Sequence, residues 1–488
     1  MRNLTNPYVT VIPEFYAMQW KKISADAARE SPATAMKSSS PGEGIKGRRG
    51  YGLRFATLRN DDERGRTRSR WIAFSCVLTC FILGTLVSIN SAHARVLTVG
   101  TNQPYQQISE AIAAAQVFDT IVVKPGTYYQ HTITVDKPLH LIGEGKPRID
   151  AQGEKVQIFT VTADSVTIEG FVLANVGVSY LSEFSAIRVD RARYGTIRDN
   201  DIENCFFGVY LAYARHYRVE NNRIIGRADN EASAGNAIHA WKGSHLVIAH
   251  NTATGHRDGI YFEFVDDSQI HHNRSFGNLR YGLHFMFSNR DRYRHNEFRN
   301  NGAGVAVMFS NHIRMEENHF VRNWGGASYG LLLKEISDGE IVGNRFVRNT
   351  TGILAEGANR ILIEKNQFTG NGTALDMKGN GLDNRVLANN FLANTFEVVT
   401  NSQRNSNEYD RNYWSSYAGY DLDRDGVGDE PYRPVNLFAR ITDQIPAATL
   451  LLHSFFVNLL ELSERIFPDI IPAALVDEHP HMQPYAYD

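Results

Sequence analysis

Apolar positions along this chain keep a fixed phase with two punctuating residues, asparagine and glycine. An Asn followed two residues later by an apolar residue (Ser275 after Asn273 is the exception) stands at Asn200, Asn222, Asn251, Asn273, Asn296, Asn318, Asn344, Asn366 and Asn390, and six of the eight gaps are 22 to 24 residues. The longer gaps after Asn222 and Asn318 imply loop insertions. A second series, Gly-apolar-x-apolar, runs in phase at Gly208, Gly259, Gly282, Gly304, Gly330 and Gly352. Each unit reads as strand, Asn turn, strand, Gly turn, strand. One such unit cannot bury its apolar face alone; stacking on its neighbours buries it. The pattern predicts an all-β fold, a right-handed parallel β-helix of about ten coils of roughly 22 residues. Its β-branched, glycine-punctuated character excludes a leucine-rich or helical repeat. Asparagine suits the turns because it tolerates left-handed backbone and can hydrogen-bond along the stack.

The ends of the repeat differ from its middle. Residues 108–115 have helical composition and are expected to cap the open first coil, since bare strand edges invite aggregation. The segment from Ile121 to Tyr128 then reads as strand and turn. Residues 413–440 form an acidic Asp/Gly loop, and 441–488 an apolar helical hairpin with a His/Met tail. Ala448 to Phe467 reads as one helix ended by Pro468, with a polar stripe at Ser454, Asn458, Glu461 and Arg465 on an otherwise apolar surface. A second apolar piece follows at Ile470, Ile471 and 473–476.

Ahead of the repeat, residues 1–94 read as a leader. The basic run Arg64, Arg66, Arg68, Arg70, the apolar stretch from Trp71 to Ile89 and Ala92-His93-Ala94 make a secretory signal cleaved before Arg95. An uncleaved anchor is the alternative, because the apolar run is long for a signal peptide. The first 60 residues are unusual ahead of a signal, so Met18, Met36 or a later codon competes as the start. Of three cysteines, Cys76 and Cys80 fall in the signal and Cys205 stands alone beyond it, which excludes a disulfide framework within one exported chain. Net charge is −2, so no global field points to nucleic acid.

The cap segment, the strand from Ile121 to Tyr128, the Asn-phased coils, the acidic stretch from Tyr420 to Tyr432 and the apolar C-terminus together resemble the NosD family over residues 95–488. The resemblance implies a periplasmic accessory protein for maturation of nitrous-oxide reductase. It would dock on the permease of an inner-membrane ABC transporter and deliver copper, or sulfur, to the apo-reductase, with a copper chaperone as a further partner. The family does not fix the cargo.

The residues offer a separate test. Aligning the coils on the glycine series makes two outward columns, His239-Tyr261-His284-Ala306-Leu332 and Trp241-Glu263-Met286-Met308-Lys334. Met286 and Met308 are then neighbours on adjacent coils, with His284 two residues from Met286 on the same face. Two thioethers and an imidazole suit Cu(I), bound transiently, with Glu263 as an acceptor orienting His284. The alternative is packing under a loop, since Met is a common gap-filler. His239 lies in the same column as His284. His250, His272 and His295 precede turn asparagines and should stack, more as a structural ladder than as a metal site, and His271 adds little to them. The tail residues His479, His481 and Met482 read either as a mobile copper-handing arm or as linker.

Asp421, Asp423, Asp425 and Asp429 around Gly426 have calcium-loop spacing, but Tyr432 stands where a bidentate glutamate is expected, so an acidic turn held by its own hydrogen bonds is the equal alternative. The apolar surface of the C-terminal helix, with Leu451, Leu452, Phe455, Phe456, Leu459 and Leu460, is expected to engage the permease; covering the open end of the β-helix is the competing role. The rival class is a secreted lyase or epimerase acting on acidic polysaccharide. It needs carboxylates and Arg or Lys together on an outward face, whereas the two columns carry Glu263, Lys334 and, one coil on, Glu356 in separate coils.

Overall fold

The structure is a computed structural model that describes residues 94–488 except 327, 402–405, 453, 467–474 and 488. The predicted signal segment, with Cys76 and Cys80, and the apolar piece at 470–474 lie outside the described residues.

Among the described residues the chain forms three long parallel sheets of 14, 12 and 13 strands, in which each strand pairs with the equivalent strand one coil on. The 14-stranded sheet runs from Val96–Val99 to Glu408–Asp410, the 12-stranded sheet from Ile133–Val135 to Phe396–Val399, and the 13-stranded sheet from Thr127–Tyr128 to Tyr413–Trp414. This is the expected β-helix, with about fourteen turns rather than ten. A further rung at Asn412 follows the last predicted one, and three of the additional turns lie before Asn200. There Gly126, Pro147 and Phe171 occupy the place of the ladder asparagine, so the signature is missing while the pairing continues. The long gaps are insertions as expected: one holds the short 3-10 turn Glu231–Ser233, the other the loop following Asn323.

A column of buried carboxamides sets the register. Asn222 Oδ1 accepts from both the backbone N–H and the Nδ2 of Asn200, each at 3.1 Å, while Asn222 Nδ2 donates to Ile197 O and Asn251 Oδ1. The arrangement repeats through Asn251, Asn273, Asn296, Asn318, Asn344, Asn366, Asn389 and Asn412. Asn389, not Asn390, is the ladder residue of its coil; Asn390 is a strand residue bonded to the backbone of Tyr485. The asparagines are not the left-handed residues. The residue before each one takes positive φ, as at Asn221 (55°), His250 (57°) and Glu317 (54°), which turns the carboxamide inward. A second ladder runs through Asn278, Asn301, Asn323, Asn349 and Asn371 to Asn394.

The glycine series lies inside strands of the 12-stranded sheet, not in turns. Its cause is close approach: a Cβ at Gly304 would stand 2.3 Å from the carbonyl oxygen of Gly330. Inside the coils, Phe298, Phe320, Phe346, Phe368, Phe391 and Trp414 stack face to face with centroids 4.1 to 5.6 Å apart.

Helix α1 (Ile108–Ala114) covers the first coil as predicted, burying Ile108, Ala111 and Ile112 behind a capping box of Gln107 and Glu110. At the other end the expected single helix is two pieces, a 3-10 turn Pro446–Leu451 and a helix Phe455–Ile466 (α3). They are preceded by a helix Leu437–Gln444 (α2) that the acidic-loop boundary at 440 cuts through. Leu452 and Leu460 pack with Phe438, Ala439 and Val457 on Phe396 and Val399, closing the last coil of the 12-stranded sheet.

Asn296→Ala removes the acceptor for two donors of Asn273 and leaves Ile270 O without its side-chain partner. The expected cost is about 3 kcal/mol, read as a lowered melting temperature and loss of hydrogen-exchange protection at the Asn273 amide; unchanged protection would show that the ladder does not hold the register. His256 stands one coil before Asn278 in the second ladder. Burial pushes its imidazole down to about 4 from an ordinary 6.5, so the unfolded chain takes up the proton first as pH falls. Its contribution is complete above pH 6.5 and is lost between pH 6.5 and 4, about 3 kcal/mol in all. Acid denaturation of His256→Asn should lack that component, and an unchanged pH profile would contradict it.

Candidate metal face and docking end

Strand register places the two outward columns as the sequence predicts. His239 pairs with Tyr261, Tyr261 with His284 and His284 with Ala306; Glu263 pairs with Met286 and Met286 with Met308. These side chains point away from the core of the coil, yet the face is largely enclosed. His284 is 4% and Met286 5% exposed, His239 is buried, and Met308 is half-buried.

The rings form a continuous series. Tyr210 stacks on His239 at 4.4 Å, His239 on Tyr261 at 4.7 Å, and Tyr261 meets His284 edge-on at 5.0 Å. The Tyr261 hydroxyl lies 3.5 Å from Met286 Sδ and 3.2 Å from Glu263 Oε2, two alternative acceptors for its one proton. Glu263 therefore serves Tyr261, and the carboxylate that approaches His284 Nδ1 is that of Asp258, at 3.9 Å. Asp258 is itself held by Arg280 through two hydrogen bonds of 3.0 and 2.6 Å.

Asp258 is fully buried, a condition that by itself raises a carboxyl pKa. The Arg280 guanidinium outweighs that effect and, with His284, holds the carboxyl far below its ordinary range. Burial lowers the His284 pKa, leaving the neutral imidazole that ligates soft metals. Neither ring nitrogen of His284 has a hydrogen-bond partner within the structure. The face thus offers one imidazole and two thioethers in adjacent strand positions, with a hydroxyl on one sulfur.

At the far end, the surface of α3 and the turn before it splits in two. Leu452 and Leu460, expected at the docking surface, belong to the closure of the last coil. Phe455 is 81% exposed, and Leu451, Phe456 and Leu459 are also exposed, joined by Leu450, Leu462 and Ile466. One face of this segment therefore closes the last coil, and the other leaves an apolar surface exposed. Among the described residues no helix is long and apolar enough to cross a membrane.

A family model described as "Periplasmic copper-binding protein (NosD)" matches residues 220–419. A relative from Pseudomonas aeruginosa, named "Probable ABC transporter binding protein NosD", is 33% identical over 374 residues, covering 73% of this chain and 86% of its own. The chain belongs to the NosD family. A relative of the same name from Stutzerimonas stutzeri is 30% identical over 380 residues, covering 74% and 86%. Among solved structures the chain is similar to the Dettilon tailspike protein (11% identity, TM-score 0.49, covering 62% of this chain and 66% of that one). It is also similar to the A-module of the Azotobacter vinelandii mannuronan C-5 epimerase AlgE4 (16%, TM-score 0.41, 60% and 86%).

The NosD match spans the strands that carry His239, His284, Met286 and Met308 and stops at residue 419, within the acidic loop and just before its Tyr420–Tyr432 stretch. In that loop the Asp421, Asp423 and Asp425 carboxylates converge. Asp421 accepts from the N–H groups of Asp425 and Gly426, Asp425 from Val427, and Asp429 from Leu422. The loop is thereby held as a hydrogen-bonded turn, and Tyr432, where calcium would need a carboxylate, instead pairs with Asp477.

The His/Met tail is not an arm. Asp477, fully buried, accepts from Asn412 N, Asn412 Nδ2 and Trp414 Nε1 and so supplies the last rung of the asparagine ladder. His479 Nδ1 lies 2.8 Å from Asp410, His481 stacks on Tyr485 at 4.3 Å, and the Met482 N–H donates to Gly426 O. These residues strap the final coil and sit apart from the His284 face. Cys205 is buried, its thiol pushed up to about 12, and is no metal ligand at neutral pH.

Sequence reasoning missed Asp258 and Arg280. Both were visible in the alignment on the glycine series: Asp258 directly precedes Gly259, and Arg280 stands two residues before Gly282.

Proposed function

We propose that this NosD-family protein is a periplasmic accessory factor in maturation of the copper sites of nitrous-oxide reductase. It docks on an ABC transporter permease and holds Cu(I) transiently at His284, Met286 and Met308 before transfer to the apo-reductase. The observation that carries the reading is the direct register pairing of Met286 with Met308 beside His284, whose ring nitrogens make no hydrogen bond. Thioether and neutral imidazole select Cu(I) over harder cations, and their small number keeps the ion exchangeable. His239 lies in the same column two coils before His284, with its Nδ1 3.0 Å from Asn236 Nδ2. The name of the family model supports copper as cargo over sulfur, and the names of the relatives support the transporter. The exposed apolar residues of α3 and the turn before it fit a permease surface, because so large an uncovered apolar face marks an interaction site.

A second reading, a polysaccharide lyase or epimerase, is favoured by Asp258, Arg280, Tyr261 and His284 lying on one face. Against it, both oxygens of Asp258 are bonded to Arg280, which leaves the carboxylate a poor general base. Incubation with uronate polymers is expected to give no product.

Met286→Ala with Met308→Ala should weaken Cu(I) binding at least roughly tenfold, measured anaerobically against a competing chelator; unchanged affinity would remove the site. Phe455→Glu with Phe456→Glu should abolish co-purification with the permease and leave the melting temperature unchanged, whereas Leu460→Glu should cost roughly 2 kcal/mol of stability. Retained co-purification by the first variant would exclude this face as the docking surface.

A further inference from the structure

The geometry points to a second metal site, built only of imidazoles, at His250, His271 and His272, for a divalent cation of borderline softness such as Cu(II). It lies at the junction of the 14- and 13-stranded sheets, away from the 12-stranded sheet that carries Met286 and Met308, and does not depend on that pair.

One nitrogen from each of the three rings lies within 4.8 Å of the other two, and the Nδ1 atoms of His271 and His272 are already 3.1 Å apart. Two nitrogens bound to one ion at about 2.1 Å in the square-planar geometry that Cu(II) prefers stand about 3.0 Å apart when cis and about 4.2 Å when trans. The third ring must close by roughly an ångström, within reach of an exposed side chain. His250 and His272 are exposed and His271 half-buried, so an ion reaches them from solvent. The His250 and His272 rings stack at 4.8 Å, and His272 leads on to His295 at 4.9 Å, whose Nε2 is 3.0 Å from Glu317.

The turn does not ask for histidine. His250, His272 and His295 occupy the left-handed position before the ladder asparagine. In other coils that position is filled by Asn221, Glu317, Lys365, Ala388 and Arg411 at φ between 51° and 56°. Backbone sterics therefore accept almost any residue there, and three successive imidazoles plus His271 on the neighbouring strand are more than the fold requires. A cluster of three nitrogen donors and no sulfur prefers Cu(II) or Zn(II) to Cu(I), which complements the thioether face.

The test is titration of metal-free full-length protein with Cu(II), followed by electron paramagnetic resonance. One ion per chain should bind, with superhyperfine structure from imidazole nitrogens. The variant His250→Asn, His271→Gln, His272→Asn keeps the turn, since Asn221 already occupies it one coil earlier, and should melt as the parent does. It should lose affinity by at least about 100-fold, the upper range seen for removing outer-shell partners alone, together with the nitrogen pattern. Met286→Ala with Met308→Ala should leave both intact. Parent-like affinity and spectrum in the triple variant, or no Cu(II) bound by the parent, would overturn the site; loss of Cu(II) in the methionine variant would mean a single shared site and would overturn it equally.

Discussion

Everything in this molecule follows from a column of buried carboxamides. Each ladder asparagine has two donors and an acceptor out of reach of water, and the stack satisfies them only when successive coils are aligned. A slip of one residue would send each carboxamide to the opposite face and leave its buried partners unbonded. The ladder therefore fixes which residue of one coil sits over which residue of the next, and the phenylalanine stack follows the same register. Asp477 ends the column from a segment 65 residues further on, so the C-terminal strap is tied into the same constraint.

Register converts a linear spacing into chemistry. Met286 and Met308 come into contact range because they are aligned by the same count that aligns Asn273, Asn296 and Asn318. The face they share with His284 is also where Asp258 and Arg280 form a buried ion pair, which holds charge close to an imidazole without protonating it. A rigid scaffold with weak, exchangeable donors suits delivery better than storage, since the ion gains few ligands and the protein pays little reorganisation on release. The helix that closes the last coil turns Leu460 inward and Phe455 outward, so one element both ends the stack and leaves an apolar surface exposed.

The β-helix and both outward columns were legible in the sequence because a strand alternates faces with period two and the coils repeat with a steady count. What was not legible has three physical causes. Coils whose ladder position is Gly126, Pro147 or Phe171 pair like the others but carry no marker, so three turns went uncounted. At Asn389-Asn390 the sequence offers two carboxamides, and only the inward turn of the preceding residue selects one. Contacts across coils, such as Asp258 with Arg280 or Asp477 with Asn412, join residues far apart in the chain, and no local pattern announces them. The same holds for the tail, whose His479 and His481 look free in sequence but meet Asp410 and Tyr485 in the structure.

The central claim is that register alone assembles a mixed sulfur and nitrogen site for Cu(I). X-ray absorption at the copper edge, on the anaerobically Cu(I)-loaded protein, reads the ligand atoms directly. Two sulfur scatterers and one imidazole nitrogen are predicted, both sulfurs disappearing when Met286 and Met308 are replaced. A copper shell of nitrogen and oxygen only would contradict the account and move the cargo site away from this face.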